Sequence, residues 1–420
     1  MAPLLSTFGA ASARSFGGIG APLGGTPAEL GTATTLGSGE NMTQCSLCRI
    51  GDTDKFAFLY FANDLKRIYG RIITFDPSDN SFTSSSEQAL ITSGHSAEPI
   101  NPSATYHPNS GRIVFVGQGN SYYPYIYSME LQNNNSEFNT GSRKQGIISS
   151  NDSNMFHSGG RNIIHHGGNN FVGVCHKSNT GQRVYTFTVG NTGSIDMQIN
   201  HQQLDGGHSG YNRADSPSLI YDGTTYHYFY NLRYQYAANL RHVCFTYDGS
   251  SIGNEDGYTV STGDNETRNE GAFYLPNLNK IVWVTTDSYD NIHYKYIRKV
   301  RFFDPDTSGD RLANVVTRNL SNDINSSAGF ADTNGIACAL EPVSENIIFM
   351  EGANNGQIAA MKLDSSGAFE EMIDLGTYTG TSVRDGQQLI ARPHDDDFSI
   401  FVVGHNTGTA HYARTIRGKS

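Results

Sequence analysis

Hydrophobic and polar residues alternate in short runs along this chain, and the runs recur in a fixed order. Each copy opens with two such runs joined by a tight polar turn, as in "ATYHPNSGRIVFV" (104–116) and "AFYLPNLNKIVWV" (272–284). Alternation with a period of two predicts β-strands, and turn residues between two such runs predict a hairpin. The pattern occurs seven times, with turns near Asp52, Asn109, Gly168, Asp222, Asn277, Val343 and Asp395.

Each hairpin is followed by a loop rich in Gly, Asn and Tyr and then by a third alternating run. These third runs are "RIITF", "YIYSMEL", "RVYTFTV", "RHVCFTY", "IRKVRFF", "QIAAMKL" and "AHYARTI". Turn signals such as "DGSS" close most of them, and a weaker fourth run follows. Four strands repeated at a near-constant period predict a β-propeller, because a lone four-stranded blade cannot cover both of its faces. We therefore predict an all-β protein, a seven-bladed β-propeller with an irregular N-terminal anchoring arm.

The two ends of the chain are predicted to meet in one blade. The seventh copy reaches Ser420 after its third run, and we expect residues 28–39, "AELGTATTLGSG", to supply its fourth strand beside "AHYARTI". This divides the chain into a propeller over residues 28–420 and an arm over residues 1–27. The arm has no strand or helix period, and we expect its apolar side chains either to dock on another protein or to wrap onto the propeller. These docking residues are Leu4, Leu5, Phe8, Phe16, Ile19 and Leu23.

Composition narrows the classes of partner. The net charge is −11 and only 16% of residues are charged, so the chain lacks the clustered Lys and Arg that nucleic-acid binding needs. No apolar run approaches the roughly 20 residues that span a bilayer, so no membrane partner is expected. No cofactor is implied by any motif.

The sequence also predicts no metal site. Cys45 and Cys48 have the spacing of half a zinc site or of a redox pair, but no second pair of ligands follows, so we expect buried core cysteines. His165 and His166 are neighbours on a predicted strand and should point to opposite faces, which disfavours joint metal binding.

Arginines and carboxylates precede or enter the first strand of several copies. If these strands line the central channel, the residues crowd one rim and could bind an acidic sugar; alternatively, they pair across neighbouring blades and hold the ring together. The stretch "ADSPSLIYDGTTYHYFYN" resembles propeller glycosidases that act on arabinan and xylan, with Asp215 as the matching carboxylate. No catalytic residue is assigned. The rim residues are Arg161, Arg213, Asp215, Arg268, Glu270, Asp332, Arg384 and Asp385.

Loops between the second and third strands supply a second candidate surface. Tyr offers amphipathic contact area, and Asn and Gly adapt their hydrogen bonds, which is typical of adaptable binding surfaces. The alternative is that these are solvated turns with aromatic plugs. The candidate binding residues are Tyr122, Tyr123, Tyr234, Tyr236, Tyr289 and His293.

The first residues, "MAPLLSTFGAASARSFGG", resemble the N-termini of virion structural proteins of tailed bacteriophages of the marine and cyanophage type. The resemblance implies a virion component that docks to other tail or capsid proteins through its N-terminal arm, in multiple copies per particle. On this basis we expect a non-enzymatic tail fibre or tail-associated adhesin at the phage particle surface, which presents its propeller to a host-surface glycan or protein or to a neighbouring subunit. Two alternatives stay open: a capsid decoration or tail-assembly subunit, and a sialidase-like or glycosidase-like depolymerase that degrades glycans.

Overall fold

A computed structural model gives the fold of the chain. It describes residues 27–30, 34–38, 42–62, 65, 67–76, 78–79, 81–92, 102–118, 124–148, 155–156, 162–177, 181–204, 213–234, 237–261, 268–290, 295–305, 312–319, 336–340, 347–351, 357–364, 368–377, 388–394, 397–405 and 410–418. These residues form 31 β-strands in seven antiparallel sheets, and none of them is helical. No helix in this part of the chain could therefore cross a membrane.

Contacts divide the chain into two compact units. The first unit, which includes residues 41–75 and 83–265, contains sheets 1 to 4. Sheet 1 comprises β3 (Met42–Arg49), β4 (Lys55–Ala62), β5 (Arg67–Asp76), β6 (Ser81–Ser84) and β7 (Gln88–Ile91). Sheet 2 comprises β8 (Ser103–His107), β9 (Arg112–Gln118), β10 (Pro124–Gln132) and β11 (Glu137–Ile147). Sheet 3 comprises β12 (Met155–Phe156), β13 (Ile163–Gly167), β14 (Asn170–Lys177), β15 (Gly181–Val189) and β16 (Ile195–Gln203). Sheet 4 comprises β17 (Arg213–Tyr221), β18 (Tyr226–Tyr234), β19 (Ala237–Tyr247) and β20 (Ile252–Ser261).

The second unit, which includes residues 266–420 and 11–40, contains sheets 5 to 7. Sheet 5 comprises β21 (Arg268–Leu275), β22 (Lys280–Asp290), β23 (Lys295–Pro305) and β24 (Leu312–Asn319). Sheet 6 comprises β25 (Ile336–Leu340), β26 (Ile347–Glu351), β27 (Gln357–Leu363) and β28 (Phe369–Thr377). Sheet 7 comprises β29 (Gln388–His394), β30 (Asp397–His405), β31 (Ala410–Gly418), β1 (Pro27–Leu30) and β2 (Thr34–Ser38).

The seven predicted hairpins are confirmed. Each predicted turn lies between the first and second long strands of its sheet, and each predicted third run lies within the third long strand. The described residues form seven sheets, whereas the number of blades in a closed ring stays a prediction.

The predicted pairing of the two chain ends is present in sheet 7. Both β1 and β2 pair antiparallel with β31, with Leu30 opposite Ile416 and Thr34 opposite Ala413. The pairing gives the last long strand a partner on a side that would otherwise be a sheet edge. The proposed domain boundary after residue 27 is not tested by this pairing, because residues 1–26 lie outside the described part of the chain.

In the first unit the apolar core lies between successive sheets. In β14, Phe171 belongs to the core shared by sheets 2 and 3, whereas the next residue, Val172, belongs to the core shared by sheets 3 and 4. Side chains alternate between faces along a strand, so a strand covered on both faces reads as a nearly continuous apolar run. Burial of each large apolar side chain contributes about 1.5–3 kcal/mol, so the two-sided cores are the main source of stability.

The first strands of the sheets lie beside one another within each unit. In the first unit β3, β8, β13 and β17 are successive neighbours, and in the second unit β21, β25 and β29 are. Serine side chains link two of these pairs: Ala104 N donates to Ser46 Oγ at 3.0 Å, and Asn162 N donates to Ser103 Oγ at 3.0 Å. These bonds place the beginnings of β8 and β13 side by side.

Candidate functional site

In sheets 4 and 5 the two predicted surfaces lie at the same end of the sheet. In sheet 4, Arg213 opens β17 and is the register partner of Arg233, while Tyr234 closes β18 and pairs with Ala237, which opens β19. Arg213, Asp215 and Tyr234 therefore share one end of the sheet, which we call the strand-start end. The opposite end, which holds the hairpin between first and second strands, we call the turn end.

Sheet 5 repeats this arrangement. Arg268 opens β21 opposite Thr286, and Tyr289 pairs with Tyr296 near the end of β22. Arg268, Glu270 and Tyr289 therefore lie at the strand-start end of sheet 5. Rim residues and loop residues are separate groups in the sequence, whereas the antiparallel register joins them in sheets 4 and 5.

Both of these first strands carry a β-bulge close to the predicted carboxylate. In β17 the register shifts between Asp215 and Ser218, and in β21 it shifts between Asn269 and Gly271, so Glu270 is the extra residue. Pro217 lies inside the first bulge, where its missing N–H costs no ladder bond. Bulges re-aim side chains and are frequent next to active sites. Sequence reasoning missed both bulges, although a Ser-Pro pair inside a strand pattern signals the first.

Several predicted residues lie outside the described part of the chain, so their contribution stays a prediction. Four belong to the rim set: Arg161, Asp332, Arg384 and Asp385. Four belong to the loop set: Tyr122, Tyr123, Tyr236 and His293. The six docking residues of the arm also lie there: Leu4, Leu5, Phe8, Phe16, Ile19 and Leu23.

A buried polar chain lies beneath the strand-start end of sheet 3. His176 is the penultimate residue of β14, and its Nδ1 lies 3.0 Å from Gln182 Nε2 on β15. Tyr228 of sheet 4 donates to Gln182 Oε1 at 2.7 Å. In sheet 3, Arg183 Nη1 also donates to Gln203 Oε1 at 3.0 Å. The sequence gives no signal for the contacts among His176, Gln182 and Tyr228, because these three residues come from three different strands.

The turn ends of sheets 2 and 3 are joined by histidines. His107 Nε2 donates to the carbonyl oxygen of Gly168 at 3.1 Å, and His165 Nε2 donates to the same oxygen at 2.9 Å. Ser110 Oγ lies 2.6 Å from His107 Nδ1 and completes the bonding of that ring. Burial lowers the pKa of His107, and burial lowers the pKa of His165 to about 4 despite its bond to Gly168. Both rings are therefore neutral structural donors near neutral pH.

The prediction that His165 and His166 point in opposite directions is confirmed. His165 faces His107 of sheet 2 with ring centroids 5.4 Å apart, whereas His166 Nδ1 contacts the Tyr226 hydroxyl of sheet 4. The His166 ring also packs edge-on against Tyr247 with centroids 5.0 Å apart. The two histidines thus connect sheet 3 to its two neighbours.

A line of three ionisable side chains fills the turn end of sheet 4. Asp222 Oδ2 accepts from His227 Nε2 at 2.9 Å, and His227 Nδ1 lies 3.0 Å from His242 Nε2. Burial opposes ionisation of Asp222, but bonds from His227, Thr225 and Thr224 outweigh it and lower its pKa to about 2. Burial lowers the pKa of His242 well below its usual value, and its Nδ1 has no hydrogen-bond partner among the described residues.

The two cysteines and the carboxylate Asp304 have structural roles. Cys45 and Cys48 are buried as predicted, and burial raises the pKa of the Cys48 thiol to about 12. Asp304 of β23 accepts a bond from Lys280 Nζ of β22 at 2.7 Å. Within the described ranges, no three His, Cys, Asp or Glu side chains are grouped so that they could bind a metal ion.

Comparisons with known proteins identify the fold. No family model and no curated protein matches the chain. The polysaccharide lyase Uly1 is similar over 93% of this chain and 99% of its own, with 10% identity and a TM-score of 0.53. A protein from Lactobacillus plantarum is similar over 83% of this chain and 88% of its own, with 10% identity and a TM-score of 0.50. The GH93 alpha-L-arabinofuranosidase of Fusarium graminearum covers 91% of this chain and 97% of its own, with 11% identity and a TM-score of 0.49. The chain is therefore an all-β propeller, as predicted.

The same comparisons correct the functional expectation. We expected a non-enzymatic phage tail fibre or adhesin, but a structure matched over 99% of its own length is a polysaccharide lyase, which is an enzyme. The findings thus contradict the main interpretation and the expectation that the protein is not an enzyme. They lend no support to the virion, phage and tail-fibre assignments.

Proposed function

We propose that this protein degrades an acidic polysaccharide at the strand-start end of its sheets. The observation that carries the proposal is the repeated arrangement in β17 and β21: each strand opens with an arginine and carries a carboxylate at or beside a bulge two residues later. The fold shared with a polysaccharide lyase supports the same conclusion, although at 10% identity it supports it through the architecture alone.

The residue types suit this chemistry. A guanidinium forms paired, charge-assisted hydrogen bonds with a sugar carboxylate, which is how Arg213 and Arg268 would hold an acidic sugar. Carboxylates transfer protons at a glycosidic bond, and a positioned acid or base contributes about 10²–10⁴-fold in rate. Asp215 in sheet 4 and Glu270 in sheet 5 are proposed separately as proton-transfer residues, each with the arginine that opens its own strand.

The test is incubation of the purified protein with acidic and neutral polysaccharides, followed by sizing of the products. We expect shortened acidic chains, and we expect Asp215→Ala or Glu270→Ala to reduce the rate by about 10²–10⁴-fold, according to which sheet carries the reaction. Asp196→Ala is the matched control, because Asp196 is an exposed carboxylate on the fourth strand of sheet 3. Full activity in both rim variants would remove these carboxylates from the proposal, and intact polysaccharide with the wild-type protein would defeat it.

The products distinguish two reactions. Hydrolysis breaks the glycosidic C–O bond and adds a water molecule across it, so each new reducing end comes with a saturated sugar. Elimination removes the C5 proton of a uronate and expels the C4 oxygen, which leaves a C4–C5 double bond and consumes no water. Ultraviolet absorbance of the unsaturated sugar, measured beside reducing ends, therefore assigns the reaction.

On the resemblance of residues 1–18 alone, we further propose that the arm docks the enzyme to other proteins of a phage particle. Deletion of residues 2–27 should then leave a folded, active propeller that no longer joins particles. Incorporation of the truncated chain would contradict the docking proposal without affecting the enzymatic one.

A further inference from the structure

Three buried side chains link sheets 3 and 4. His176 is 2% exposed, Gln182 1% and Tyr228 1%. His176 and Gln182 are register partners on β14 and β15, with Nδ1 and Nε2 3.0 Å apart. The Tyr228 hydroxyl contacts Gln182 Oε1 at 2.7 Å. Buried polar groups of this kind are specific only when every partner has the correct polarity.

The donor and acceptor of each of these hydrogen bonds follow from the chemistry of the atoms. An amide oxygen can only accept, so the Tyr228 hydroxyl donates to Gln182 Oε1. An amide nitrogen can only donate, so Gln182 Nε2 donates to His176 Nδ1. A ring nitrogen that accepts carries no hydrogen, so the proton of the neutral imidazole is on Nε2.

His176 lies at the strand-start end of sheet 3, and its strand β14 contacts β17, which carries Asp215. His176 is followed only by Lys177 before β14 ends, and it pairs with Phe156 of β12, which extends the sheet at its strand-start end. In sheet 4, Tyr228 lies three residues along β18 from Asn231, the register partner of Asp215. Both sheets belong to the first unit.

We propose that Tyr228 and Gln182 hold His176 as a neutral imidazole with its hydrogen on Nε2, and that His176 is thereby a positioning residue of the polysaccharide-degrading site. This inference rests on the proposed function for its catalytic part, whereas the tautomer of His176 follows from the contacts alone.

The tyrosines at and beside these three side chains are also uncharged. Burial raises the pKa values of Tyr185 and Tyr228 well above the usual value, so both hydroxyls keep their protons at neutral pH. Tyr228 also stacks on Tyr230, with ring centroids 4.8 Å apart, which fixes the direction of its hydroxyl.

The test is nitrogen-15 NMR of the full chain with selectively labelled histidine, in which His176→Asn identifies the resonance. We expect the wild-type ring to show the hydrogen on Nε2. Gln182→Glu should abolish this signature, because a carboxylate accepts from both neighbours and draws a proton to Nδ1. The same variant should lower polysaccharide cleavage at least about tenfold.

Two further variants make the result decisive. Tyr228→Phe keeps the stacked ring and removes only the hydroxyl, so it should mix the two tautomers and lower cleavage about 2- to 12-fold. Gln203→Glu is the control, since Gln203 bonds Arg183 on the neighbouring strand, and it should leave the His176 signature unchanged.

A wild-type ring protonated on Nδ1 would overturn the inference, as would a Gln182→Glu protein that retains both the signature and the rate. If the wild-type protein cleaves no polysaccharide, the proposed function fails and His176 has no catalytic part to play. The assignment of its tautomer would then be upheld or rejected by the NMR result.

Discussion

The two ends of the sheets in the first unit are built differently. At the turn ends, the first and second strands of sheets 2, 3 and 4 are joined by tight turns, and the side chains there bond to the neighbouring strand or sheet, as His107, His166 and Asp222 do. At the strand-start ends, connections such as 92–102 and 204–212 are longer, and β17 begins with a bulge. Functional residues are commonly carried by irregular segments on a rigid scaffold.

This contrast separates stability from function. Buried hydrogen bonds at the turn ends hold one sheet to the next, so changes there should reduce the free energy of unfolding. We expect the rim residues at the strand-start ends to contact the substrate, so changes to them should reduce cleavage. Substitutions at the two ends therefore test whether stability and activity depend on different residues.

Arg213→Ala should reduce activity without reducing stability. Loss of a charge-assisted bond to the sugar carboxylate costs about 1.5–3 kcal/mol, which corresponds to about 12- to 150-fold in kcat/KM. The measurement is cleavage of an acidic polysaccharide beside a thermal melt. Lys144→Ala is the control, because Lys144 is an exposed cation on the outer strand β11. A large fall in melting temperature with unchanged kcat/KM would show that Arg213 is part of a structural ion pair.

His107→Ala should have the opposite effect. The substitution removes bonds to Gly168 and Ser110 from a fully buried position, which costs about 1–3 kcal/mol for each buried group left without a partner. The melting temperature should fall while kcat/KM stays unchanged. Asn109→Ala, which removes an exposed bond to the same Gly168 carbonyl, should reduce the melting temperature less. Loss of cleavage in a folded His107→Ala protein would contradict the division between the two ends.

The sequence predicted the parts of this structure that depend on local pattern. The turns "DGTT" and "DGSS" were predictable because Asp and Gly supply the geometry: Asp222 accepts from Thr224 N, and Gly223 has a φ of +104° that other residues resist. Alternation along each run predicted the strands, and the recurrence of the hairpin predicted seven similar sheets.

The candidate site was predicted less completely, because its geometry depends on register and not on local pattern. The meeting of Arg213 and Tyr234 at one end follows only from the pairing of three strands. The line from Asp222 through His227 to His242 joins a turn to two strands, so no spacing in the sequence reveals it. The only residue on β21 that hints at the bulge at Glu270 is Gly271.

The His242 environment predicts a pH-dependent stability. Its folded pKa lies well below the unfolded value of about 6.5, so the unfolded chain binds more protons as pH falls below that value. Stability contributed by neutral His242 is therefore lost on acidification from about pH 7 to pH 5. His242→Gln keeps a donor for His227 Nδ1 and cannot be protonated, so the melting temperature should fall less steeply on acidification; the remaining slope includes His107 and His165, whose pKa values burial also lowers. An equally steep pH dependence in the variant would assign the effect to another group.

The smallest expected effect separates two similar turns at the turn end of sheet 4. Asp222 and Asp248 each accept bonds from two backbone amides, and each precedes a glycine with positive φ. Asp248 is exposed and makes only these local bonds to Ser250 and Ser251, which lower its pKa. Asp222 also holds the buried His227. Asp248→Ala should therefore lower the melting temperature only slightly, and Asp222→Ala clearly more, because the second change leaves a buried imidazole without its acceptor. Equal losses in the two variants would mean that the turn itself, and not the line of buried histidines, provides the stability at this end.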